Sequence, residues 1–382
     1  MKAAGIIFSN IHDDNIPELT AFRSIASVPF GCRYRFIDFT LSNMVNSNIN
    51  NIRVITSNNY LSLMDHIGSG KDWDLARRSG GIRILPPNVA PTGYRSNAVT
   101  GRHSLATRLE ALKSVKYAIS SIKDEFVVLS DCDVICNVDL NDIIDYHAET
   151  KADITLAVKK MALSHDTAKN NVVIRADDDG RITDVLAYPE SFSGEAEVCL
   201  NLLVMRTDYL KRILTDATAR GYTSFTRDII ARYASRGNYR VYRYDGYFAT
   251  ITSIEDYFRY SLDLISNEDA RRSLFEVKNR PVLTKVRNSS PTYYSSSSRM
   301  KNSLVADGCV IEGTVENCIL FRGVKIGKNT TVKNSILMQD TICGEGAFLN
   351  CVISDKNVVI RDGVMLSGVE SQPYYISKGK MI

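Results

Sequence analysis

From Val324 to Phe348 an apolar or β-branched residue recurs at every sixth position: Val324, Thr330, Ile336, Ile342 and Phe348. After an interruption the step resumes at Val352, Val358 and Val364, and glycine, asparagine and aspartate lie between. A six-residue step supplies one short strand and one tight turn, which is one side of a triangular coil. Each coil buries its apolar corners only against its neighbours, so several must stack. A β-sandwich of short strands is the alternative, but sandwich strands do not hold a strict six-residue register over four turns. The spacing predicts a β-helix over 303–382. Ahead of it, 281–302 contains Tyr293-Tyr-Ser-Ser-Ser-Ser298, small, polar and without a period, and reads as a linker.

Residues 1–280 alternate between strand and helix patterns. Ala3–Phe8, Ile52–Thr56 and Phe126–Leu129 are continuous apolar runs, as buried parallel strands require. The 104–122 segment has a helical period at 105, 109, 112, 115 and 119. Further helices are expected near 140–147, 207–218, 225–235 and 254–265, with short strands from 153 to 205 and at 239–244. This predicts an α/β domain with a mixed, mostly parallel sheet, whose ligands would lie beyond the carboxyl ends of the strands.

The balance of charge narrows the function classes. In 382 residues, 47 lysines and arginines face 43 acidic residues, a net charge of +4, with no basic run interleaved with aromatics. Nucleic acid and membrane surfaces are therefore not expected as partners. No apolar run approaches the ~20 residues of a membrane helix. The first eight residues read as a strand rather than a signal peptide. Eight cysteines at 32, 132, 136, 199, 309, 318, 343 and 351 form no CxxC pair and read as buried small hydrophobes of a reducing cytoplasm.

Between these regions lies the most specific motif, Pro29-Phe-Gly-Cys-Arg-Tyr-Arg-Phe-Ile-Asp-Phe-Thr-Leu-Ser-Asn43, with His66 and Trp73 further on in His66-Ile-Gly-Ser-Gly-Lys-Asp-Trp73. It resembles the core of bacterial ADP-glucose pyrophosphorylase (glucose-1-phosphate adenylyltransferase), where the stretch reads Pro-Phe-Gly-Gly-Lys-Tyr-Arg-Ile-Ile-Asp-Phe-x-Leu-Ser-Asn. The resemblance covers nearly the whole chain. It implies a Rossmann-like nucleotidyltransferase domain followed by a left-handed β-helix of hexapeptide repeats. It also implies a chemistry: ATP held by a glycine nest, phosphates neutralised by a cation, and Mg²⁺ held by two carboxylates.

Most of those parts are missing. After the first strand the family has Gly-Gly-x-Gly-x-Arg-Leu, whereas this chain has no glycine between Gly5 and Gly31 and brings Asp13, Asp14 and Glu18 instead. Negative charge there would repel ATP. The lysine of the family's Arg-Ala-Lys-Pro is replaced by Ile25 and its proline by Ala26. The metal-binding aspartate falls on Asp133, with Asp131 close by, but the second carboxylate is replaced by Thr250. The sugar-site segments Glu-Lys-Pro, Ala-Ser-Met-Gly and Asp-Phe-Gly-Lys-Asp read Ala187-Tyr-Pro189, Val198-Cys-Leu-Asn201 and Ser224-Phe-Thr-Arg-Asp228. The base-pocket segment Gly-Thr-Ala-Asp-Ala falls on His103-Ser-Leu-Ala-Thr107. His66 and Trp73 read as packed structural residues.

The resemblance is to the GlgD-type subunit, a paralogue with the fold but without the glycine loop. It implies a regulatory, largely non-catalytic, cytoplasmic chain. Catalytic residues and a metal are not expected, and Asp133 would be a vestige. The chain itself would require no cofactor. Mg²⁺ and ATP would be used by a catalytic ADP-glucose pyrophosphorylase subunit, its partner in a hetero-oligomer of tetramer size. Arg33 and Arg35 keep the basic residues that the family directs at a phosphorylated metabolite effector, and arginine's fork suits phosphate. Two other readings stay open: a weakly active adenylyltransferase using Asp131 and Asp133 as metal ligands, and a stand-alone sugar-nucleotide sensor.

Overall fold

The computed structural model describes residues 1–86 and 107–382. The chain divides into two compact units, Met1–Ile11 with Phe39–Phe248, and His12–Asp38 with Ala249–Ile382.

The first unit is built on a sheet of nine strands among the described residues. Ala3–Phe8 is its centre, parallel to Asn51–Ile55 on one side and Phe126–Asp131 on the other, and Gly81–Leu85 extends the parallel part. All six residues of the central strand are buried, which is why its sequence is a continuous apolar run rather than an alternating one. Gly194–Arg206 runs antiparallel to Phe126–Asp131 and to Ile154–Leu163, so the sheet is mixed. The helical pattern of 104–122 is broken in two, Arg108–Ser114 and Lys116–Ser120, with Thr107 capping the first by accepting from the Glu110 N–H. The strands of 153–205 are longer than expected: Gly194–Arg206 holds 13 residues, with a register shift between Cys199 and Leu203.

In the second unit the short hairpin Pro29–Phe30 with Tyr34–Arg35 packs on the helices Ile254–Ser266 and Glu268–Phe275. The buried Tyr257 hydroxyl donates to the Pro29 carbonyl at 2.8 Å, and Tyr34 stacks on Phe275 with centroids 5.1 Å apart. Residues 12–38 and 249–280 therefore group with the β-helix, whereas the sequence placed them in one domain of 1–280.

Three five-stranded parallel sheets wrap the β-helix. It begins earlier than the spacing suggested. Tyr293–Tyr294 and Arg299–Lys301 pair with Val310–Ile311 and Thr314–Glu316, so they are the first coil rather than part of a linker. The serines between them form its corner, where the Ser298 hydroxyl donates to the Ser295 carbonyl at 2.8 Å. Coils are 17 residues apart where Val352 N–H reaches Ser335 Oγ, one short of three six-residue sides. The sixfold register therefore drifts by one residue. Val324, Thr330 and Ile336 are fully buried, but Ile342 is 39% exposed, and the inward positions there are Cys343 and Leu349. At one corner the amides of Asn302, Asn317, Asn334 and Asn350 form a ladder with steps of 2.8, 3.2 and 3.0 Å. The first three take left-handed φ, which asparagine tolerates.

Candidate functional site

A phosphate nest needs successive N–H groups to converge, and this requires alternation of right- and left-handed residues. No residue from 2 to 30 has a positive φ. The turn after Ala3–Phe8 is instead closed by side chains. Asn10 Oδ1 accepts from Ser9 Oγ, Thr56 Oγ1 and the Ser57 N–H at 2.7, 3.1 and 2.9 Å, while its amide donates to the Asn58 carbonyl. In the second unit Asp13 accepts from the Ile25 N–H at 2.7 Å, and Ile25, at the lost lysine position, is buried. Asn10 and Asp13 are thus engaged by protein groups.

At the carboxyl end of Phe126–Asp131 stands an ion pair that the sequence reading did not single out. Arg108 opens its helix 7% exposed and Asp131 is 1% exposed. The guanidinium Nε donates to both Asp131 oxygens at 2.9 and 3.0 Å, and a terminal nitrogen donates to Oδ2. Burial penalises the Arg108 charge, but the Asp131 carboxylate outweighs this and holds the guanidinium above its ordinary pKa. Asp133 is also buried, and accepts from the Asn201 amide at 3.4 Å. Tyr188, in left-handed conformation at the family's lysine position, has its hydroxyl pushed up by burial, and the nearby Arg108 charge opposes this. A cavity lined by Ser130, Val134, Cys136, Leu200 and Leu202 measures only ≈ 20 Å³, room for about one water.

Divalent magnesium takes several oxygen ligands in octahedral geometry. The Arg108 guanidinium already engages both Asp131 oxygens, and Thr250, a residue of the second unit, offers no carboxylate. Asp131 and Asp133 each offer one carboxylate oxygen within 4.8 Å of the other, with a fixed cation opposing a second one there. Asp228 caps the turn after Ser224, accepting from the Thr223 and Ser224 N–H groups at 2.9 Å each. His103 to Ala106 lie outside the described residues, and Thr107 is a helix cap. His66 and Trp73 are buried and meet edge to face at 5.7 Å, as packed residues do.

The two effector candidates differ in setting. Arg33 is exposed, while Arg35 is 9% exposed and part of a cationic cluster in the second unit. One terminal nitrogen of the buried Arg23 guanidinium donates to both Asp355 oxygens at 2.7 and 2.8 Å. Asp355 also accepts from the Lys356 N–H and the Tyr375 hydroxyl. The Lys356 ammonium is pushed down to about 7 by burial, then by the charges of Arg35 and Arg23, against the pull of Asp355.

Of this pair, the sequence reading named Asp131 as a possible metal ligand and passed over Arg108, whose charge adjoins Leu109 of the helical apolar period. A charge at such positions needs a buried partner.

Two family models match this chain: Nucleotidyl transferase over 16–266, and GlmU-like, C-terminal hexapeptide over 291–373, the latter spanning the left-handed β-helix. The chain is 33% identical over 375 residues to the glycogen biosynthesis protein GlgD of Bacillus subtilis (strain 168), covering 98% of this chain and 95% of that one. It is 27% identical over 369 residues to a glucose-1-phosphate adenylyltransferase of Bacillus cereus (strain ATCC 10987 / NRS 248), covering 96% and 94%. With a nucleotidyltransferase sheet, a hexapeptide β-helix and this likeness along its length, the chain belongs to the nucleotidyl transferase family, as a GlgD-type member.

Proposed function

We propose that this chain is a regulatory, largely non-catalytic subunit acting in glycogen biosynthesis. It pairs with a catalytic paralogue that makes ADP-glucose from ATP and glucose 1-phosphate, and the partner uses the Mg²⁺ and ATP. The observation that carries this reading is the Arg108 guanidinium seated on Asp131, with no left-handed residue in the loop that would hold a triphosphate. A preorganised electrostatic group contributes about 10²–10³ in rate, and several are absent. Regulation then works through contacts that differ between active and inactive states of the partner. Arg33 and Arg35 serve a phosphorylated effector, with Lys356 beside Arg35.

The experiment is ADP-glucose synthesis by this chain alone, by the partner alone and by the mixture. Negligible turnover alone, with a shifted effector response in the mixture, is expected. Turnover alone within tenfold of the partner's, abolished by Asp133→Asn, would establish a working adenylyltransferase instead.

A further inference from the structure

The amino ends of the parallel strands, at the opposite edge of the sheet from Asp131, enclose a groove of ≈ 730 Å³. A six-residue strand spans ~20 Å, so this is a separate place from the old nucleotide end. Four cationic side chains line it, Lys2, Arg53, Arg83 and Lys123, against one carboxylate, Asp124.

Arg53 and Arg83 are direct register partners on the parallel strands Asn51–Ile55 and Gly81–Leu85, so they project from one face of the sheet. Adjacent strands lie ~4.8 Å apart, and like charges placed directly opposite are unfavourable. Arg53 is only 3% exposed. Its terminal nitrogens donate to Asn51 Oδ1 at 3.0 Å and Ser121 Oγ at 3.3 Å, both neutral, and its buried Nε has no hydrogen-bond partner among the described residues. Asp124, the one carboxylate, is engaged by the Asn51 amide at 2.6 Å. No ion pair reaches Arg53, Arg83 or Lys123 among the described residues. Burial, then the Arg83 charge, lowers the Arg53 pKa, and Asp124 only partly opposes this. A buried guanidinium with an idle donor beside a second cation is an incomplete site, and what completes it must be negative and rich in acceptors.

We propose that this groove binds a doubly charged oxyanion, inorganic phosphate or the phosphate group of a small phosphomonoester, between Arg53 and Arg83. The oxygens sit against the exposed Arg83 guanidinium, offset the two like charges of Arg83 and the buried Arg53, and meet Lys2 and Lys123 at the exposed rim. This site does not depend on the regulatory reading above, because it lies in the first unit and needs no partner chain.

The test uses the full-length chain labelled with ¹⁵N-arginine. The Arg53 Nε–H resonance is identified by its absence in Arg53→Lys. Inorganic phosphate, glycerol 3-phosphate and chloride are titrated in separate arms at matched ionic strength. A saturable shift of that resonance with either phosphate ligand, but not with chloride, is expected, and the arm that saturates identifies the source. Arg83→Gln, at an exposed position, should keep the fold and weaken the midpoint by about tenfold or more. A response that matches chloride, or a midpoint unchanged in Arg83→Gln, overturns the site.

Discussion

Arg108 and Asp131 are each buried with the other as partner, so removing one leaves an uncompensated charge. Breaking such a pair costs about 3–5 kcal/mol, while replacing both members by apolar residues is often near neutral. Arg108→Met is therefore expected to lower the denaturation midpoint strongly, and Arg108→Met with Asp131→Leu to recover most of the loss. Chemical denaturation of the three proteins checks this, and additive losses would contradict it. Lys356 makes a pH prediction. Its folded pKa of about 7 lies below the ordinary lysine value of 10.5, so the folded chain holds fewer protons than the unfolded chain between these limits. Its burial therefore weakens folding fully below about pH 7, and stability recovers as pH rises from 7 toward 10.5. An anion at the Arg35–Lys356 cluster reverses the preference by favouring the ammonium. Affinity for sulfate, which does not titrate in this range, should fall as pH rises from 7 to 9, by at most about tenfold per unit. Calorimetry at pH 6.5, 7.5 and 8.5 should show the fall, and Lys356→Gln should flatten it.

At the scale of the element, the 17-residue spacing of the coils around Ile342 gives opposite expectations for neighbouring residues. Leu349 is fully buried and Ile342 is 39% exposed, although Ile342 obeys the six-residue rule and Leu349 does not. Truncating a buried leucine costs about 2–5 kcal/mol, while a surface change stays within about 0.5 kcal/mol. Leu349→Ala should thus destabilise the β-helix markedly and Ile342→Ala should not. Equal effects in thermal unfolding would mean that the strict hexad governs packing. The hairpin of Pro29–Phe30 and Tyr34–Arg35 is held similarly from a distance, by the Tyr257 hydroxyl and the Phe275 ring. It fixes Arg35 against a packed element, and Arg35→Ala in the mixed complex should weaken effector coupling by roughly 1–3 kcal/mol. An unchanged activation curve with intact assembly would remove Arg35 from the effector site.

For the whole molecule, the second unit ties residues 12–38 to the distant carboxyl-terminal part of the chain. Arg23 and Asp355 are 332 positions apart, and Tyr375 donates to the Glu18 carbonyl at 2.6 Å. Deleting 303–382 removes most of the β-helix and, with it, both Met338 and Asp355, the groups that hold the Arg23 guanidinium. The expected outcome is aggregated protein or a species unable to bind its partner, read by size-exclusion chromatography of the truncated chain with and without that partner. A soluble truncation that assembles and activates would show that the β-helix contributes to neither.

What the sequence determined is what local spacing controls. A sustained six-residue step favours stacked coils over a sandwich, and continuous apolar runs between amphipathic helices favour buried strands of an α/β sheet. The missing glycines after Phe8 were equally legible, because glycine enters the left-handed region most readily, and no residue from 2 to 30 enters it. The tertiary structure decided where charges meet. Arg108 and Asp131 are 23 positions apart, Arg23 and Asp355 far more, and Arg53 faces Arg83 only through the register of two parallel strands. Spacing announces that a charge on an apolar stripe must find a partner, but chain topology alone selects which one. It likewise set the coil spacing, 15 residues between Val310 and Lys325 and 17 between Lys325 and Ile342, which moves Ile342 outward. Close packing of successive coils fixes the corner length, and no single hexapeptide contains that constraint.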